Sequence, residues 1–232
     1  MNLLALTNPI TAAFVADAVL AVTGKTPIMS HSLGELPAWR SRVSAAYINL
    51  GTFDPARRAG ADWLSRQDFP FVLDPVGVVV NSSRRSFAQI LLARTPALVK
   101  GNASEIAALF GLEASPRAGI DAQDDAETVA AQIPLSTLPC PILISGKRDL
   151  LLSAEGVTRI PGGDAAMARL VGLGCALGAV SAALLPHHTA LDAARVAAGY
   201  FKQAGAEAAK VSRAPGRFRR AFLDALAAQA AA

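Results

Sequence analysis

The chain has 232 residues, 52% of them hydrophobic, 17% charged and 6% aromatic, with a formal net charge of +4. That much apolar chain supports a full core, expected as one domain over residues 1–232, while scattered basic residues and sparse aromatics argue against a nucleic-acid surface. Two cysteines far apart, Cys140 and Cys175, do not make a disulfide scaffold and suit a reducing cytoplasm.

The opening residues 1–22 lack a basic leader and are interrupted by Asn8, Pro9 and Asp17, so they do not read as a signal peptide. Asn8-Pro9 marks a turn before a helix over 11–22, and Gly24-Lys25-Thr26-Pro27 breaks the chain ahead of a short Ile28-Met29 strand. A β-type run at 47–50, a helix over 55–66 and a buried strand over 69–73, closed by Asp74-Pro75, come next. Residues 86–94 read as helix, 97–99 as strand and 104–110 as helix. Strands separated by helices imply right-handed crossovers. Residues 114–125 read as a polar loop, 126–132 as helix and 134–141 as a proline-punctuated connection. Three apolar runs in quick succession, 142–145, 150–153 and 157–160, suggest antiparallel strands at one sheet edge. The remainder is helical: 174–185, 189–209 and 217–231. The uncharged run 170–185 is short for a membrane span and contains glycines, so it reads as a buried helix. Arg213, Arg217, Arg219 and Arg220 read as the solvated start of the last helix. The fold class expected is α/β: a largely parallel central sheet covered by helices, with an antiparallel edge.

Three stretches could carry chemistry. Gly172-Leu173-Gly174-Cys175 opens an apolar helix, where unpaired N–H groups and the positive end of the dipole favour an anion and would lower the pKa of a thiol. Taken alone, the same residues suit close packing around a small core cysteine. Asp74 ends a strand, at the usual ligand edge of an open α/β sheet, though Asp before Pro is also a common turn residue. Asn102-Ala103-Ser104-Glu105 has the spacing of a capping box, with Asn102 as N-cap; alternatively Glu105 organises magnesium through water. No His/Cys cluster has zinc spacing, and His187-His188 reads as a loop.

In order and spacing, the chain resembles the hydroxyethylthiazole kinases of the ribokinase-like superfamily over nearly its whole length. The matching segments are Leu6-Thr7-Asn8, Thr26-Pro27-Ile28-Met29, Ile48-Asn49-Leu50-Gly51-Thr52, Val72-Leu73-Asp74-Pro75-Val76-Gly77, Lys100-Gly101-Asn102-Ala103-Ser104-Glu105-Ile106 and Ile144-Ser145-Gly146 with Asp149, then Gly172-Leu173-Gly174-Cys175 and Pro215-Gly216-Arg217-Phe218. The resemblance implies ATP-dependent phosphorylation of 4-methyl-5-(2-hydroxyethyl)thiazole, a step toward thiamine. It also implies Cys175 as catalytic base, Met29 and Gly172 at the thiazole, Lys100 and Ser145 at ATP, Gly172 to Cys175 as anion hole, and Asp74 and Glu105 near magnesium. A cytoplasmic homotrimer with sites between subunits, and no nucleic-acid or membrane partner, is the expected assembly.

Some positions depart from the family pattern. Val171 stands where threonine is usual, Lys100 replaces arginine, Ser145 replaces threonine, and Ala13-Phe14 replaces an asparagine-phenylalanine pair. The chain also begins later than members usually do, so an N-terminal helix of theirs is expected to be absent or replaced. Lysine keeps the charge of arginine without its bidentate fork, so looser phosphate positioning is expected. Two alternatives stay open: a ribokinase-like kinase for another heterocyclic alcohol, and a catalytically weak small-molecule-binding homologue. A nicotinamide oxidoreductase is disfavoured, because no Gly-x-Gly-x-x-Gly follows an early strand.

Overall fold

The computed structural model describes residues 2–112 and 126–231, so the polar loop expected over 114–125 lies outside the described residues. The elements run β1 (Asn2–Leu6), α1 (Ala12–Thr23), α2 (Leu36–Trp39), β2 (Val43–Asn49), α3 (Pro55–Leu64), β3 (Phe71–Asp74), α4 (Ser82–Leu92), β4 (Leu98–Asn102) and α5 (Ala103–Phe110). They continue with α6 (Ala126–Ala131), β5 (Ile142–Ser145), β6 (Asp149–Ser153), β7 (Gly156–Ile160), α7 (Leu173–Leu184), α8 (Ala190–Val211) and α9 (Pro215–Ala231). Among the described residues, seven strands form one sheet in the order β1-β2-β3-β4-β5-β6-β7. The first five are parallel, and β6 and β7 add an antiparallel edge. The antiparallel edge expected over 142–160 is present, except that β5 joins β4 in parallel and reverses direction only toward β6.

Alternation along the strands sends side chains into two apolar layers. Leu3, Ala5, Tyr47, Val72, Leu98, Leu143 and Leu151 pack with α1, α7, α8 and α9. Leu4, Leu6, Ile48, Leu73, Val99, Ile144 and Leu150 face α3, α4, α5 and α6. With both faces covered, strands read as continuous apolar runs, which is why Leu3-Leu4-Ala5-Leu6 gives no period-two signal and β1 escapes a sequence reading. Its neighbours decide it: Leu3 to Leu6 pair with Ala45 to Ile48 of β2. On the other side of β1, the expected Ile28-Met29 strand shrinks to one bridge, in which Ile28 N donates to Leu3 O and Ala5 N to Ile28 O, both at 2.8 Å.

Caps set several helix ends. Helix α4 starts at Ser82, ahead of the expected 86, because the Asn81 side chain accepts from Arg84 N at 2.8 Å. The capping box expected at α5 forms: Asn102 Oδ1 accepts from Glu105 N at 2.8 Å, and Glu105 Oε2 accepts from Asn102 N at 2.9 Å. Among the described residues, no helix is long and apolar enough to cross a membrane.

Candidate active site

The five parallel strands end on one edge, which therefore gathers the segments that follow them: Thr7-Asn8 after β1, Asn49 at the end of β2, Asp74 of β3, Lys100 to Asn102 of β4 and Ser145 of β5. The start of α7 joins this edge. Gly172, its N-cap, has φ 89° and ψ 0°, a left-handed conformation that glycine adopts without strain. A Cβ there would stand 2.9 Å from Cβ and Cγ2 of Thr11. At Gly174 a Cβ would stand 2.8 Å from Lys100 Nζ, so the missing side chain lets the ammonium lie against the first turn of α7. Leu173 N already donates to Leu170 O at 3.2 Å. Of the first-turn donors, the N–H groups of Gly174 and Cys175 have no partner within the helix. The glycine turn from which an anion hole is expected thus lies at the strand ends beside Lys100, with the Leu173 N–H already engaged.

Cys175 sits in the first turn of α7, partly buried. Asn49 Nδ2 lies 3.3 Å from its Sγ and Asn8 Nδ2 3.8 Å from it. Asn49 Nδ2 also approaches Asp74 Oδ2 at 3.1 Å and Tyr47 Oη at 2.9 Å, and its Oδ1 accepts from Gly51 N at 2.9 Å. Tyr47 Oη donates to Asp74 Oδ2 at 2.6 Å, and Lys100 Nζ stands 3.6 Å from the same oxygen. Asp74 is fully buried and Lys100 is 4% exposed.

Burial governs the protonation of the cluster. Desolvation raises the Asp74 pKa against the pull of Lys100, and raises that of Glu105, with a further push from Asp74. Burial alone would lower Lys100, but the carboxylates of Asp74 and Glu105 outweigh it and its pKa rises. The lowered thiol pKa expected at Cys175 is not found: desolvation and then the Asp74 charge push it up, with Lys100 pulling the other way. A helix N-terminus lowers a thiol pKa only where burial and a nearby carboxylate do not oppose it. Cys140, buried in the core, is pushed up to about 12 by desolvation, in keeping with a packing role.

Glu105 Oε1 accepts from Gly77 N at 3.4 Å in addition to the capping box, so both its oxygens are engaged. Ser145 pairs across from Asn102, and its hydroxyl donates to Gly101 O at 3.3 Å. Met29 lies outside the hydrogen-bonded network, 40% exposed beside the Ile28 bridge. Asn8, Asn49 and Tyr47 were not assigned roles from the sequence. Asn49 carried the same signal as Asp74, a polar residue closing an apolar run, whereas Tyr47 reads only as a β-former.

Among the described residues, no three or more His, Cys, Asp or Glu side chains are grouped to hold a metal. Magnesium usually takes one or two protein carboxylates and completes its shell with water and phosphate oxygens. Asp74 fits that requirement, since its Oδ1 is buried without a hydrogen-bond partner among the described residues. Glu105 fits through water, because backbone N–H groups occupy its oxygens.

The model of the hydroxyethylthiazole kinase family matches residues 3–231. A hydroxyethylthiazole kinase of Salmonella paratyphi A is 39% identical, the match covering 95% of this chain and 85% of that protein. One from Citrobacter koseri is also 39% identical, over 95% and 86%. The solved hydroxyethylthiazole kinase of Pyrococcus horikoshii OT3 superposes with a TM-score of 0.84 at 25% identity, covering 97% of this chain and 87% of that one. A pyridoxal kinase from Staphylococcus aureus, solved with AMP-PCP and pyridoxal, shares the fold at a TM-score of 0.63 and 14% identity, over 89% and 88%. The glycine turn over Lys100 and Asp74, the ribokinase-like sheet and a family match along nearly the whole chain agree, and the chain belongs to the hydroxyethylthiazole kinase family.

Proposed function

We propose that the cleft at the strand ends transfers the γ-phosphoryl group of ATP to the hydroxyl of 4-methyl-5-(2-hydroxyethyl)thiazole, in the salvage of that alcohol toward thiamine. The activity is that of the family, a phosphotransferase acting on an alcohol. The observation that carries the reading is the buried Lys100 ammonium against Gly174, at the mouth of a helix whose first turn opens with a left-handed glycine. Phosphoryl transfer needs alignment of the hydroxyl with the γ-phosphate and fixed positive charge more than covalent chemistry from the protein.

In the mechanism proposed, the alcohol oxygen attacks the γ-phosphorus, its proton passes to the thiolate form of Cys175, which becomes the thiol, and ADP leaves. The N–H groups of Gly174 and Cys175, with Lys100, stabilise charge on the transferring phosphoryl group. Ser145 contacts the nucleotide, and Met29 with the Gly172 backbone packs against the thiazole. Asn49 and Asn8 hold the thiol. Asp74 and, through water, Glu105 would hold magnesium, which supplies charge neutralisation at the phosphates.

A coupled ATPase assay against thiazole, pyrimidine and pyridoxal alcohols tests the acceptor. The thiazole alcohol is expected to give the highest kcat/KM. A tenfold or greater preference for another alcohol, or binding of the thiazole without ATP turnover, would reject this reading in favour of a different acceptor or a weakly catalytic binding protein.

The proposed assembly is a homotrimer with thiazole sites between subunits. Ile10 at 86% exposure, Val171 at 70% and Met29 at 40% support it, since the first two flank the contact between Thr11 and Gly172 and leave apolar surface around the site. Light scattering at micromolar concentration is expected to give three times the chain mass of 23.9 kDa; a monomer there removes the shared-site arrangement.

A further inference from the structure

Lys202 is a buried cation that the chemistry above leaves unused. It lies in α8 at 5% exposure. Its stem runs past Gly162 and Gly163, where a Cβ would stand 3.3 Å from Lys202 Cβ and 3.2 Å from its Cδ respectively. Both glycines have positive φ, 105° and 82°, so this turn accommodates the lysine at positions that side-chain-bearing residues rarely adopt. Lys202 Nζ stands 3.0 Å from Asp149 Oδ1 and donates to Gly146 O at 2.8 Å and Lys147 O at 3.3 Å. Asp149, 3% exposed at the start of β6, accepts from Gly146 N at 2.8 Å through the same Oδ1. The turn between β5 and β6 is therefore closed on itself by Asp149 and tied to α8 by Lys202.

The tie has a directional consequence. A trans peptide is planar, with its C=O and the following N–H pointing to opposite sides. Drawing the carbonyls of Gly146 and Lys147 toward Nζ aims the N–H groups of Lys147 and Arg148 away from α8. Two successive N–H groups on one side of a turn suit an anion, and they directly follow Ser145 and Gly146 at the sheet edge where Lys100 and α7 meet. A buried ion pair is weak evidence for stability, since an apolar pair of similar volume often does as well; the backbone it orients is the more specific product.

We propose that Lys202 and Asp149 are positioning residues for the nucleotide: together they hold the turn after β5 so that its N–H groups meet the phosphates of ATP. The proposal rests on the reading of Ser145 as a nucleotide-site residue. Lys202→Met alone would strand the Asp149 charge, so the informative variant is Lys202→Met with Asp149→Asn. It removes both charges with little change in shape and keeps an acceptor for Gly146 N.

In the folded double variant the Kd for ADP by calorimetry and the KM for ATP are expected to rise about tenfold, the scale of losing hydrogen bonds to a charged group, with the thiazole KM within about twofold. Unchanged ADP affinity overturns the proposal. So does an equal rise in both KM values, or loss of the fold, since either makes the pair a general structural support. Hydrogen exchange of the wild-type chain separates the two levels. If ADP protects the amides of 145–149 while the double variant binds ADP normally, only the positioning role fails; if ADP leaves those amides unprotected, the nucleotide-site reading fails and the positioning role with it.

Discussion

Cys175→Ala is expected to lower kcat by about 10²–10⁴-fold, the usual contribution of a positioned general base, while nucleotide and thiazole still bind. Alanine leaves the glycine turn, its N–H groups and the Lys100 ammonium in place. It removes only the sulfur that Asn49 and Asn8 hold. Stability should move by no more than about 1 kcal/mol, since the thiol is small and partly buried. The direction of its pKa adds a second readout. Burial and Asp74 push the thiol up, so it stays protonated at neutral pH and the thiolate fraction grows as pH rises. Wild-type turnover should therefore climb with pH through the mildly alkaline range, and the Cys175→Ala residual rate should lack that climb. Calorimetry, steady-state kinetics and a pH profile on the folded variant check all three statements. A correctly folded alanine variant with wild-type kcat would end the assignment of Cys175 as base and leave the reaction to be argued from Lys100 and the anion hole.

Lys100→Met should be costly twice over. The ammonium is buried against an Asp74 carboxylate that has no exposure, and removing one partner of such a pair typically destabilises a fold by about 3–5 kcal/mol. It also removes the charge beside Gly174, and losing one preorganised donor at a developing oxyanion lowers kcat by about 10²–10³-fold. The stability loss should depend on pH with a definite sign. Burial already raises the Asp74 pKa in the fold, and Lys100 opposes that shift, so its loss raises the pKa further. An acid whose folded pKa exceeds its unfolded value holds a proton in the fold that the unfolded chain releases, so the penalty is fully present above the folded pKa and is relieved as pH falls through it. The melting temperature of Lys100→Met should thus approach wild type in acid and fall away toward neutral pH. Adding Asp74→Asn should restore most of the stability at neutral pH without restoring turnover. If the double variant regains both, the pair is only a core ion pair and has no part in the chemistry.

Much of this protein could be read from local sequence, for local reasons. The Asn102–Glu105 capping box, the breaks at glycine and proline, and the long helices follow from contacts within a few residues. So does the separation of strands by helices that forces a parallel sheet. Ordered motifs from Leu6 to Phe218 placed the chain in its family, and Asp74, Glu105 and Cys175 were candidates from residue type and spacing alone. What needed the tertiary structure depends on neighbours far away in sequence. Strand β1 is indistinguishable from an apolar helix turn until β2 pairs with it. Tyr47 is an ordinary strand residue until its hydroxyl meets Asp74, 27 positions away. Gly174 and Lys100 owe their relation to a fold that lays α7 over the end of β4. The Cys175 thiol shows the same division: its place at a helix start was legible, but the direction of its pKa was set by burial and a carboxylate from another strand, because desolvation and charge act through space and not along the chain.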